Sequence, residues 1–199
     1  MKENRSGKMN RKGFTLVELI AMLVVIGILM LIAVPNISGI LKKNRENISV
    51  EDINKMVGNT KTKIETGKAK YPKVNGQCAV LSLQFIDNNN DIKSGVNGGL
   101  YDKTESFILV KKEQINATTA SNQFKYYVRL VEKDGDKTYI IPLIDYDEYA
   151  KEPDEHVPQF VNFTDEMKLN LASATKEEVK TKVNNMVSNL CTSISDVYK

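Results

Sequence analysis

The chain has 199 residues and a formal charge of +3 at neutral pH, a length that suits one domain with or without an appendage. Residues 1–13 hold five basic side chains against Glu3, a net of +4, so everything after them sums to −1. That balance excludes a basic nucleic-acid surface spread over the body of the protein and makes the electropositive part a leader.

The first predicted element follows the leader directly. Arg11-Lys12-Gly13 opens onto Phe14–Val34, twenty-one residues that carry a single charge, Glu18, and from Leu19 onward there is none for sixteen residues. About 20 apolar residues rising ~1.5 Å each cross a bilayer, so the run is long enough to span. A secretory signal peptide has an apolar core of only about 7–15 residues and ends at a small-residue cleavage site. This run is longer, and its far end, Leu31-Ile32-Ala33-Val34-Pro35, offers no Ala-x-Ala pattern. A plain membrane anchor is the stronger alternative, and Glu18 argues against it. A carboxylate deep in lipid costs about 2.5–3.5 kcal/mol and persists where protein supplies a cationic partner. Cleavage after Gly13 would create that partner, an α-amino group on Phe14, which the Glu18 of a staggered second copy can meet better than the Glu18 of its own chain.

These residues resemble a known family. Lys12, Gly13, Phe14-Thr15-Leu16-Val17, Glu18, the spanning run and Pro35 are similar to the class III signal of type IV pilins and pseudopilins. The resemblance implies that a prepilin peptidase cuts between Gly13 and Phe14 and methylates the new amine. It implies too that Phe14, Thr15 and Glu18 serve assembly, with Glu18 registering each subunit against Phe14 of its neighbour. The expected partners are other pilins, the peptidase, the membrane before assembly, and an assembly platform with its ATPase. Nucleic acid is expected only in a competence-type machine. The prepilin would sit in the cell membrane with a cytoplasmic N-terminus and then enter an extracellular pilus.

Beyond Pro35, apolar residues at Ile37, Ile40, Leu41, Ile48, Ile53, Met56, Val57 and Ile64 trace one helical face. Gly67 is a plausible terminator. A helix from Phe14 to Thr66 would reach roughly 80 Å, apolar all round at first and amphipathic later. Gly27 and Pro35 are helix-breaking types inside it, costing about 1 and 3 kcal/mol in a helix interior, although membrane helices tolerate both. The resemblance implies that helicity between them can be lost on assembly.

Residues 67–105 read as a loop region containing "CAVLSLQFID", which is ambiguous between a strand and a helical turn or two. Three strand-like runs follow at 106–113, 124–132 and 137–146, the last two joined through Asp134-Gly135, a hairpin signal. Pro142 demotes the end of the third to an edge or a bulge. A loop at 147–164 leads to a C-terminal helix at 165–198, suggested by Thr175 and Glu178 at capping-box spacing and by Val179, Val183, Met186, Val187, Leu190, Ile194 and Val197. The expected fold is therefore α+β: a long N-terminal helix, half transmembrane and half amphipathic, packed on an antiparallel meander, with an extra helix at the C-terminus. The divisions are a leader at 1–13, a filament-core helix at 14–35 and a head at 36–199.

Catalytic chemistry has little to hold on to. His156 stands alone in a polar loop, without a Cys or Ser partner. Asp87–Asp91 imitates the start of a calcium loop, but Ile92 replaces the turn glycine and Gly98 stands where the bidentate acid belongs. The acidic stretch Asp145–Glu155 reads as a solvated loop. No cofactor, metal or catalytic residue is expected, and the chain reads as a structural subunit. Cys78 and Cys191 lie in the part that would face the exterior, where a disulfide persists; two buried thiols are the other reading.

Overall fold

The computed structural model describes residues 15–92, 95, 97–114, 122–151, 159–161 and 164–199. The chain divides into two compact units, residues 1–43 and 44–199. Helix α1 (Leu16–Glu65) runs through positions 27 and 35 without a break in its helical assignment. In the first unit, its described large apolar side chains from Leu16 to Ile28 are all at least 47% exposed. Among the described residues no helix is long and apolar enough to cross a membrane; side chains 29–49 lie outside that set.

In the second unit α1 turns one face inward, with Ile53, Met56 and Val57 buried. It ends where the sequence places a glycine. Gly67 adopts φ +73°, its N–H donates to the Ile64 carbonyl at 3.0 Å, and the Lys68 N–H reaches the Lys63 carbonyl at 2.9 Å. That paired pattern is a Schellman stop, which needs the positive φ a glycine supplies without a Cβ penalty.

The remaining described residues build β1 (Gln77–Ser82), α2 (Leu83–Ile86), β2 (Leu100–Tyr101), β3 (Phe107–Gln114), β4 (Asn122–Asp134), β5 (Lys137–Asp145), α3 (Tyr146–Tyr149), β6 (Gln159–Phe160), α4 (Lys176–Met186) and β7 (Ser193–Tyr198). The three-strand meander is present as β3-β4-β5, paired antiparallel, but it is the centre of a larger sheet. The described strands form a seven-stranded mixed sheet in the order β6-β5-β4-β3-β1-β7, with β2 added alongside β4. The stretch that reads as strand or helix is both, because β1 passes straight into α2 and Ser82 Oγ accepts from the Phe85 N–H at 3.1 Å. At Pro142 the register of β4 and β5 slips between Val128 and Leu130, leaving Pro142 and Leu143 opposite Arg129 alone. A residue without an N–H is accommodated there because the ladder is interrupted.

The expectation of a C-terminal helix over 165–198 is corrected. Helix α4 begins at the expected box, Thr175 Oγ1 accepting from the Glu178 N–H at 3.3 Å and Glu178 Oε2 from the Thr175 N–H at 2.7 Å. It ends at Met186, and the chain finishes as strand β7, parallel to β1. The register of β1 on β7 slips by one residue after Cys78, so Ile194 and Val197 face inward three positions apart. A bulged strand thus imitates helical spacing, whereas Thr192, Ile194, Val197 and Tyr198 are strand formers by type.

The sheet separates two apolar clusters. One holds Ile53, Met56 and Val57 of α1 against Leu81, Ile108, Val128 and Ile141. The other holds Val179 and Val183 of α4 against Val80, Phe107, Leu109 and Val197. Alternating residues of β1 and β3 therefore serve opposite faces, which is why "AVLS" and "FILV" read as continuous apolar runs.

Candidate functional site

At the N-terminal end of α1, Thr15 caps the helix and Glu18 answers it. The Thr15 N–H and Oγ1 each donate to Glu18 Oε2 at 2.9 Å, and Thr15 Oγ1 accepts from the Glu18 N–H at 3.3 Å. This is a capping box, the same reciprocal arrangement that starts α4. Glu18 accordingly has a role within its own chain that its position in an apolar run does not suggest. The spacing Thr15-x-x-Glu18 is the signal for it, identical to Thr175-x-x-Glu178.

Around this box the surface is apolar on every side. Leu16 is 76% exposed and Val17 73%, and Leu19, Ile20, Leu23 and Val24 are each more than half exposed. A helix apolar all round belongs in lipid or in a protein core. A contiguous apolar surface of this kind marks an interaction site. The carboxylate of Glu18 is held in the first turn of such a surface, four residues beyond Phe14, where cleavage and methylation are expected. Gly13 and Phe14 themselves lie outside the described residues.

A model of the prokaryotic N-terminal methylation motif matches residues 8–34. The chain carries the class III signal of type IV pilins and pseudopilins. Comparison with curated proteins returns no match, and neither does comparison with solved structures. The pilin signal thus covers the second half of the leader from residue 8, Gly13, Phe14, the Thr15–Glu18 box and Gly27, and stops one residue before Pro35. The fold of the head, α+β with a mixed sheet, is compatible with it. Proteins with this signal are structural subunits and substrates of the prepilin peptidase.

In the head, Cys78 of β1 and Cys191, between α4 and β7, are joined by a disulfide with Cα atoms 5.8 Å apart. The bond ties the start of β1 to the segment that delivers its edge neighbour β7. In the calcium-like loop Asp87 and Lys103 tie the chain together. Asp87, buried, accepts from the Asp91 N–H at 2.9 Å and the Ile92 N–H at 3.3 Å. The Lys103 ammonium sits 3.0 Å from Asp87 Oδ2 and also bonds Asn90 Oδ1. The Lys103 ammonium thus bridges two residues of the loop. Among the described residues no cluster of His, Cys, Asp and Glu is arranged to hold a metal. Asp145 is engaged as the N-cap of α3 and as a partner of Lys125 at 3.2 Å, while His156, Glu152, Asp154 and Glu155 lie outside the described residues.

Three further buried carboxylates carry no sequence signal. Glu105 accepts from the Leu169 and Asn170 N–H groups at 2.7 and 2.9 Å, pinning the segment before α4. Glu132 accepts from the Gly99 and Asn97 N–H groups at 2.8 and 3.0 Å, and a Cβ on Gly95 or Gly99 would collide with this strand. Asp52, on the inward face of α1, lies beside Tyr101. Burial pushes Asp52 up to about 6, with the Tyr101 hydroxyl and the Lys55 ammonium partly offsetting it. Glu105 and Glu132, like Asp87, bond backbone N–H groups, the usual way a buried acid is satisfied.

Proposed function

We propose that the chain is a prepilin that becomes a structural subunit of a type IV pilus. The observation that carries the reading is the match of residues 8–34 to the methylation motif, with an acid, Glu18, in an exposed apolar helix surface. On this reading the peptidase removes residues 1–13 and methylates Phe14. The apolar first half of α1 holds the subunit in the membrane and afterwards forms the filament core. The Phe14 amine of one subunit neutralises Glu18 of the next. An amine and a carboxylate brought together out of water are each costly alone and tolerable as a pair. The head, stapled by Cys78–Cys191, is then the outward surface, acting in adhesion, surface motility or biofilm formation.

The test is deletion of the chain in its native host, followed by shearing of surface filaments and labelling with an antibody to the head. Filaments that carry the head along their length in the wild type, and vanish on deletion, support the pilus reading. Intact filaments without it, together with lost protein secretion or lost DNA uptake, assign the chain to a pseudopilus instead.

A further inference from the structure

The sum of charges over the body, −1, conceals a segregation. From Lys61 to Lys73 the chain holds five lysines against one acid, Glu65. Lys112 joins them in space, its ammonium 2.7 Å from the Lys73 carbonyl. Elsewhere on the head several lysines pair with acids, as Lys103 with Asp87 and Lys125 with Asp145. Among the described residues none of these six lysines has a carboxylate within ion-pair distance.

A cleft of about 240 Å³ opens within this patch, between the last turns of α1 and the loop after α2. Lys63 and Lys68 supply its charge, and Asn59, Thr62, Thr66, Asn88 and Asn89 supply neutral hydrogen-bonding groups. Its one carboxylate, Asp87, is already committed to Lys103 and to two backbone N–H groups. Thr62 Oγ1 donates to the Gly58 carbonyl at 3.1 Å and Thr66 Oγ1 to the Thr62 carbonyl at 2.7 Å. Both hydroxyls therefore keep lone pairs that can accept from a ligand's hydroxyls. Lys63 is largely buried, its ammonium 5.0 Å from the centre of the Phe85 ring, and burial together with Lys68 pushes its pKa down. A lysine held this way gains from an added negative charge.

We propose that this cleft binds an acidic sugar residue of a polysaccharide. Two unpaired ammonium groups select a carboxylate or sulfate on the ligand. Five amide and hydroxyl side chains around them match the alternating donors and acceptors of a sugar ring, a density that a bare phosphodiester backbone would leave unused. The lysines outside the cleft, Lys61, Lys70, Lys73 and Lys112, would meet further negative groups along the same polymer. The inference concerns the head alone and holds whether the subunit enters a pilus or a pseudopilus.

The experiment uses the full-length chain in detergent and three probes of similar length: polygalacturonate, neutral dextran and mixed-sequence duplex DNA. Polygalacturonate should bind at physiological salt and dextran should not. Lys63→Gln/Lys68→Gln should weaken binding at least tenfold, whereas Lys137→Gln, on an exposed lysine of β5, should leave it unchanged. Lys68→Gln alone, at an exposed position, serves if the double variant does not fold, and should still weaken binding severalfold. Asn59→Ala/Asn89→Ala keeps every charge and should also weaken binding severalfold. Absence of polygalacturonate binding overturns the proposal. So does an asparagine double variant that binds as the wild type does, which would reduce the effect to bulk charge. DNA bound more tightly than polygalacturonate overturns it in favour of a phosphodiester ligand.

Discussion

Glu18 has two roles in this account, and substitutions separate them. As a member of the capping box it accepts from the Thr15 N–H and hydroxyl. Loss of a cap costs about 0.5–2 kcal/mol. As an assembly charge it neutralises the Phe14 amine of another subunit, and leaving that amine buried alone costs about 3–5 kcal/mol. Glu18→Gln keeps the box, because glutamine serves at the same position, but removes the charge. Glu18→Val removes both. Thr15→Ala removes the cap and leaves the charge. Neutralising the carboxylate should also ease insertion by roughly 2–3 kcal/mol, so membrane levels should hold or rise in both Glu18 variants. The assay scores membrane level, cleavage and sheared-filament content separately in the native host. Filament content should collapse in Glu18→Gln as fully as in Glu18→Val, with cleavage retained in both, and fall only modestly in Thr15→Ala. Wild-type filament content in Glu18→Gln would refute the charge argument and leave Glu18 as a helix cap.

Two predictions concern the head, residues 44–199. The disulfide closes a loop of 113 residues, for which chain entropy gives about 4–5 kcal/mol; reduction, or Cys78→Ser/Cys191→Ser, should lower the denaturation midpoint accordingly, and an unchanged midpoint would contradict the staple. Asp52 binds its proton in the folded head up to about pH 6, against an ordinary value of 3.8. Its contribution to stability is therefore fully present below about pH 4 and lost as the pH rises through 6. Urea melts should show Asp52→Asn more stable than the wild type by about 2–3 kcal/mol at pH 7.5, with the gap closing by pH 4. A gap that does not change with pH would assign the effect to packing instead.

What was legible in the sequence follows the physics of each element. The inward face of α1 at Ile53, Met56 and Val57, its stop at Gly67, the β4–β5 hairpin and the start of α4 rest on local signals that tertiary contacts did not override, while Ile37, Ile40, Leu41 and Ile48 of the same predicted face lie outside the described side chains. β7 was illegible because its bulge sets Ile194 and Val197 at a helical interval, and because its pairing partner β1 lies over a hundred residues away. β2 and β6 are two residues each and exist only through their pairing with β4 and β5. The buried acids Glu105 and Glu132 are satisfied by backbone N–H groups distant in sequence, so nothing near them announces their burial. At the N-terminus the reverse held. Thr15 and Glu18 stand at capping-box spacing, but the cost of a charge in an apolar run points to a partner in another subunit, which hides the bond within the first turn.

The most direct test of the central claim is the mass of the N-terminal peptide of the chain recovered from sheared surface filaments. Processing by the prepilin peptidase predicts a peptide that begins at Phe14 and carries one added methyl group, with residues 1–13 absent. A peptide that retains Met1, or one cut at any bond other than Gly13–Phe14, would contradict it.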